Sequence, residues 1–276
     1  MFEFERDDRH RIFREASAAI SSNKIDSLKQ ILASCPEWYK LKDWDDYNLL
    51  HIAVLFKKHA IFDYLHSFNK ISLEETNRFG DTTLTICLTM KDMCTSVNTE
   101  DFAIKLIQLG ANINPRCRNN DSLLHIAVRK YFLRVAKCLI ERGVDINAQN
   151  DDGKTPLRVV GDRQDFREIH IDYKQTRKDF EEGVSLLLYY GADASICDDK
   201  GVSTFEQFVL WHAWAFAVLE HLFDLTYDSY SECVICLKAL EYLMLNGSPL
   251  FYKVMDRVTE VSLDNCVLAH APFWMK

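Results

Sequence analysis

The sequence predicts an all-α repeat solenoid in which helix pairs are joined by tight turns. A short frame recurs along the chain as Asn48-Leu49-Leu50-His51, Thr82-Thr83-Leu84-Thr85, Ser122-Leu123-Leu124-His125, Thr155-Pro156-Leu157-Arg158 and a degraded Ser203-Thr204-Phe205-Glu206. Its third position recurs after 34, 40, 33 and 48 residues, a period near 33 with two insertions. A second frame keeps the same phase: Leu109-Gly110-Ala111-Asn112-Ile113-Asn114, Arg142-Gly143-Val144-Asp145-Ile146-Asn147 and Tyr190-Gly191-Ala192-Asp193-Ala194-Ser195. Each frame starts or stops a helix. Ser, Thr or Asn before the apolar run caps free backbone N–H groups, and Pro156 occupies a first-turn position that needs no donor. Glycine after the second run suits the left-handed residue that ends a helix.

The elements follow in order. Residues 1–41 read as an N-terminal capping pair, with Phe13, Ala16, Ala19 and Ile20 on one helix and Leu28, Ile31 and Leu32 on the next. A terminal unit must cover the core on one side and face water on the other, so departure from the repeat frame is expected there. Residues 42–204 hold about five repeats, whose second helices show apolar spacing of helical period, as in Phe102, Ile104, Leu106, Ile107 and Leu109, or Val135, Cys138, Leu139 and Ile140. Each such face is expected to be buried on its neighbours. Insertions near 91–100 and 161–180 fall between the first and second helix of their repeats, and so are expected to project from one edge. Residues 205–276 read as a divergent repeat and a C-terminal helical cap, including the apolar run from Val209 to Leu219.

These residues resemble the ankyrin repeat, whose consensus runs through a turn Asp-x-x-Gly, a Thr-Pro-Leu-His opening one helix, a second helix and Gly-Ala-Asp-Val-Asn. The stretch Asn150-Asp151-Asp152-Gly153-Lys154-Thr155-Pro156-Leu157 is close to it. The resemblance covers roughly residues 42–204. Departures are informative. Asp46 and Asn120 stand where the turn glycine belongs, and both residue types tolerate positive φ. Thr85 and Arg158 replace the histidine, so the turn hydrogen bond is altered there and the fourth repeat is expected to be looser. For His51 and His125 the resemblance implies a structural role, with the imidazole bonded to turn backbone rather than to a metal or substrate.

Composition narrows the function. A formal net charge of −8 and no clustered Lys and Arg disfavour nucleic acid, because phosphate binding draws on such clusters. A protein partner, basic or peptide-like, is accommodated more easily. Nine cysteines, an odd number, and a start at Met1-Phe2-Glu3 without a secretory pattern suggest a reducing, cytoplasmic setting with free thiols. No uncharged apolar stretch of membrane-spanning length occurs, so a soluble chain is expected. Cys233 and Cys236 form a C-x-x-C without a second pair at zinc spacing, and Cys266 with His270 lacks an orienting third group. No cofactor, metal or enzymatic activity is therefore expected.

In the ankyrin family, partners lie in a concave groove formed by turn tips and first helices. Carried onto this chain, that implies tip residues Trp44, Asp45 and Tyr47, then Arg78, Phe79 and Asp81, then Arg118 and Asn119, then Asp151 and Lys154. The first helices add Phe56, Met90, Arg129 and Lys130. The early repeats are aromatic and the later ones charged, which points to an anchor at Trp44, Tyr47, Phe56 and Phe79. The expected function is a non-enzymatic, monomeric scaffold or adaptor that binds a partner protein. The alternative is an effector whose 205–276 module recruits a ubiquitin ligase or carries an activity of its own. Irregular repeats, long insertions and abundant Cys and aromatic residues also resemble ankyrin proteins that viruses and intracellular bacteria direct into host cells, which would make the partner a host protein and the compartment host cytoplasm.

Overall fold

The structure, a computed structural model, describes residues 2–89, 96–160, 173–204 and 207–208. Ten α-helices lie within these residues: α1 Phe2–Ser21, α2 Ile25–Ser34, α3 Leu49–Leu55, α4 His59–Ser67, α5 Thr83–Thr89, α6 Ser96–Gln108, α7 Leu123–Arg129, α8 Leu133–Glu141, α9 Pro156–Val160 and α10 Tyr173–Tyr189. Short first helices alternate with longer second ones, as the repeat frame predicts. The chain is thus an all-α repeat of the solenoid class. Isolated antiparallel bridges, Lys42 with Asn48 and Cys197 with Ser203, close the first and fifth turns.

Contacts divide the chain into two compact units, Met1–Cys117 with Arg134–Val144, and Arg118–Leu133 with Asp145–Lys276. In the first unit, Phe13, Ala16, Ala19 and Ile20 of α1 and Leu28 and Leu32 of α2 are buried. Leu49, Leu50, Ala53 and Val54 of α3 and Leu84, Ile86 and Leu88 of α5 form the core of the first helices. The second helices contribute Ile61, Phe62 and Leu65, then Phe102, Ala103, Leu106 and Ile107, then Val135, Ala136 and Leu139. The rings of Phe62 and Phe102 meet edge to face at 5.1 Å, the arrangement that aligns a ring's positive edge with its neighbour's negative face. Leu109 departs from expectation: it follows the last residue of α6, precedes Gly110 in the left-handed region (φ 89°) and is exposed. The buried stripe ends at Ile107, two residues before its last apolar letter.

Both insertions lengthen second helices. α6 begins at Ser96 and α10 at Tyr173, so the parts of the predicted insertions at 96–100 and 173–180 are helical. In α6 the buried Glu100 accepts hydrogen bonds from the backbone N–H groups of Arg134 (2.8 Å) and Val135 (3.3 Å), which satisfies donors that the first turn of α8 cannot pair internally.

In the second unit, α7, α9 and α10 bury Leu123, Leu124, Val128, Leu157, Val160, Val184 and Leu187. Gly183 of α10 faces Val160 and Leu133, and a Cβ there would make ordinary van der Waals contact with them at 3.4 and 3.5 Å. Phe180 and Phe208 meet with ring centroids 5.4 Å apart.

Candidate functional site

The turn tips are shaped by one repeated device. In the first turn the Asp43 carboxylate accepts from the N–H groups of Asp45 (2.9 Å) and Tyr47 (2.8 Å). Asn77 does the same for Phe79 and Asp81, both at 2.9 Å. Asn150 serves Asp152 and Lys154, and Asp198 serves Lys200 and Val202, at 3.0 Å each. An Asp or Asn side chain thereby replaces backbone pairing and fixes the tip. In the third turn Cys117 stands at this position. Positive φ follows as the sequence implies, at Asp46 (61°) and Asn120 (55°) as well as at Gly80, Gly153 and Gly201.

The histidines hold the turns from behind. Asn48 caps α3 by accepting from the His51 N–H at 2.9 Å, while its own N–H donates to His51 Nδ1 at 3.3 Å. That leaves Nε2 as the donor to the Glu75 carbonyl at 3.0 Å. Burial lowers the His51 pKa to about 4, so the ring is neutral near pH 7. His125 repeats the arrangement, with Nδ1 receiving the Ser122 N–H at 3.1 Å and Nε2 against the Lys154 carbonyl at 2.9 Å. The structural role implied for both rings is the one observed.

Arg158 corrects the expectation of a looser fourth repeat. Its guanidinium is long enough to leave its own turn, donating to Asp198 at 3.2 Å and Gln207 at 2.8 Å, all three side chains being buried. The fourth and fifth turns are thus joined by a buried ion pair. Burial by itself would raise the Asp198 carboxyl, but the N–H groups of Val202 and Lys200 and the Arg158 guanidinium hold it below the usual range.

Against this frame the candidate residues sort into exposed and committed groups. Trp44, Phe79 and Phe56 are 72%, 52% and 48% exposed. Trp44 leans on His10 of α1, ring centroids 4.0 Å apart, without being covered by it. Tyr47 is half-buried, edge-on to His51 at 5.9 Å, and its hydroxyl is bonded to Asn77. Asp45 and Arg78 are paired with each other at 2.7 Å, and the Arg78 guanidinium lies 5.2 Å from the Phe79 ring centre. Asp81 is half-buried and accepts from Asn77 Nδ2 at 3.3 Å. All of these belong to the first unit. Met90 lies outside the described residues.

In the second unit Arg118, Asn119 and Asp151 are exposed. Asn119 donates to Asp152 at 3.2 Å, and its carbonyl accepts the Asp151 N–H at 3.0 Å. Arg129 is committed to the buried Asp121 at 2.6 Å, which also accepts from Asn150 at 2.8 Å. Lys130 lies 6.0 Å from the Phe132 ring centre, and Lys154 Nζ is 3.8 Å from Asp152. The later candidates thus make many of their contacts within the fold.

Sequence reasoning missed Phe68, Leu109 and Tyr189, which are also exposed, Tyr189 by 83%. Phe68 and Leu109 each directly precede a left-handed residue, Asn69 and Gly110, and that position could have marked them. The C-x-x-C at Cys233 and Cys236, the pair Cys266 and His270, the apolar run from Val209 to Leu219, and nearly all of the 205–276 module lie outside the described residues. Among the described residues no group of three or more His, Cys, Asp and Glu could hold a metal, and no helix is long and apolar enough to cross a membrane.

Comparison with known proteins agrees with the frame. Residues 106–160 match the family described as ankyrin repeats (many copies). A putative ankyrin repeat protein of Rickettsia felis is 30% identical over 104 residues, covering 36% of this chain and 40% of that protein. An L-asparaginase of Dirofilaria immitis is 26% identical over 160 residues, covering 58% of this chain and 25% of that enzyme. The chain therefore spans well under half the length of these relatives. Among solved structures, an ankyrin repeat domain from Acinetobacter baumannii superposes with a TM-score of 0.59 at 17% identity, covering 76% of this chain and 96% of that one.

Proposed function

Because the chain is an ankyrin-repeat protein, a class of repeat that generally mediates protein–protein interaction, we propose that it is a non-enzymatic adaptor whose turn tips and first helices capture a partner protein. The observation that carries this reading is the exposure of Trp44, Phe79 and Phe56 at positions where the repeat needs no aromatic side chain. Burying large rings against a partner supplies much of the binding energy at many interfaces, and leaving them in water offers the fold nothing in return. The reading places the anchor in the first unit, and a cytoplasmic setting suits its free thiols at Cys35 and Cys138. The asparaginase likeness carries no activity to this chain, since it spans a quarter of that enzyme at 26% identity.

The test is affinity capture with the full chain beside Trp44→Ala with Phe79→Ala, each checked by thermal melting. A partner lost only in the double variant, at unchanged melting temperature, supports the adaptor reading. Undiminished capture by the variant, or loss accompanied by unfolding, sinks it.

A further inference from the structure

We infer that the tips of the first two turns bind an arginine side chain carried in an apolar stretch of the partner protein; this rests on the adaptor reading and names the chemistry of the same surface. The charges of these tips do not balance. Their cations are already committed, Lys42 to Glu75 at 3.2 Å and Arg78 to Asp45 at 2.7 Å. Asp43, Asp46 and Asp81 have no cationic partner among the described residues. Asp43 and Asp81 also lie close around Tyr47, whose phenol is pushed up by burial first and then by the negative charge of Asp81, Asp43 and Asp45, against its hydrogen bond to Asn77. Two turns that are far apart in sequence thus share one negative potential, with the indole of Trp44 and the ring of Phe79 standing in water beside it.

The surface also carries its own example of the recognition proposed. Arg78 is held by a carboxylate on one side, Asp45, and an aromatic ring on the other, Phe79. A guanidinium suits such a setting because its planar fork pairs with carboxylates while its face stacks on rings. Trp44 and the exposed Asp46 offer the same two chemistries within one tip, and Asp46 enters no ion pair among the described residues. A neutral apolar partner would desolvate Asp46 without an ion-pair partner, and would further bury Asp43 and Asp81, whose negative charge is met only by the tips' own neutral N–H and amide donors, which is costly. An acidic partner would add repulsion. An arginine flanked by apolar residues satisfies both the rings and the charge.

The experiment uses the full chain and blocked nonapeptides with arginine between leucines, beside the same peptides with citrulline or glutamate at the centre. Binding is read by fluorescence polarisation and by the indole N–H resonance of Trp44, identified with Trp44→Phe. The arginine peptide is expected to bind at least about tenfold more tightly than the citrulline peptide, to shift the Trp44 resonance, and to weaken as salt rises from about 50 to about 300 mM. Asp46→Asn with Asp81→Asn should abolish most of that preference; asparagine tolerates the positive φ at position 46, and melting checks the fold. Equal binding of the arginine and citrulline peptides, an undiminished preference in the double variant, or no arginine-peptide binding at about 1 mM overturns the inference. If partner capture still depends on Trp44 and Phe79 in that case, only the arginine chemistry falls and the adaptor reading stands. Capture that ignores both rings removes the adaptor reading itself.

Discussion

The guanidinium of Arg158 donates to the carboxylate of Asp198 at 3.2 Å, 40 residues along the chain, with both side chains buried. Removing one member of a buried pair strands the charge of the other, at a cost of roughly 3 kcal/mol. Arg158→Met is therefore expected to lower unfolding stability by about that amount in urea titration. A change within about 0.5 kcal/mol would mean that Asp198 is satisfied by its backbone donors alone.

Acid should loosen the first repeat before it touches that pair. His51 has a folded pKa of about 4 against an ordinary 6.5, so the unfolded chain takes up its proton first. Its stabilising contribution is complete above pH 6.5 and declines as pH falls toward 4, by about 3 kcal/mol in all. Asp198, with its pKa held below the usual carboxylate range, contributes above its unfolded pKa and loses that contribution only as pH falls through its lower folded value. The stability of His51→Gln should accordingly be flatter than that of the parent between pH 6.5 and 4.5. Parallel curves for the two proteins would exclude His51 as the source.

Thr83 is fully buried in the first turn of α5, and its hydroxyl has no hydrogen-bond partner among the described residues. The same repeat position holds Leu49, Leu123 and Pro156 in three other repeats and a second buried threonine, Thr204, in the fifth. Valine keeps the shape and removes the unpaired polar atom, so Thr83→Val is expected to stabilise the protein by about 1 kcal/mol. Chemical denaturation decides it, and a destabilised variant would point to a water bound to the hydroxyl.

Two glycines with similar positive φ should respond differently to alanine. At Gly153 (φ 70°) a Cβ would meet the backbone nitrogen of Asp199 at 2.6 Å, whereas at Gly80 (φ 81°) it meets nothing within 4 Å. Gly80→Ala then bears only the left-handed strain, about 1 kcal/mol, while Gly153→Ala must also displace the fifth turn and is expected to cost about twice that or more. Equal losses in thermal melting would show that Asp199 moves aside freely.

The repeat frame was legible because capping and turn residues act locally. Asn48 and Ser122 cap α3 and α7, and Asp46 and Asn120 adopt positive φ, from properties of the residues themselves. Leu109 misled because a hydrophobic letter does not say where a helix stripe ends. Arg158 misled because the partner of a long side chain lies on another turn. The candidate anchor was half legible: the letters of Trp44, Tyr47, Phe56 and Phe79 drew attention, but burial separated Tyr47 from the other three.

The sequence alone determined the all-α repeat, its phase and the positions of its turns, since each depends on backbone propensity and spacing within a few residues; the structural role of its histidines followed from the ankyrin resemblance, because their Nε2 partners lie 24 and 29 residues away. Tertiary structure decided which of those residues remain available. Whether Asp45 meets Arg78, Asn119 meets Asp152, or Trp44 stays in water depends on distances between turns about 33 residues apart or on packing against another helix, and no local pattern records those distances.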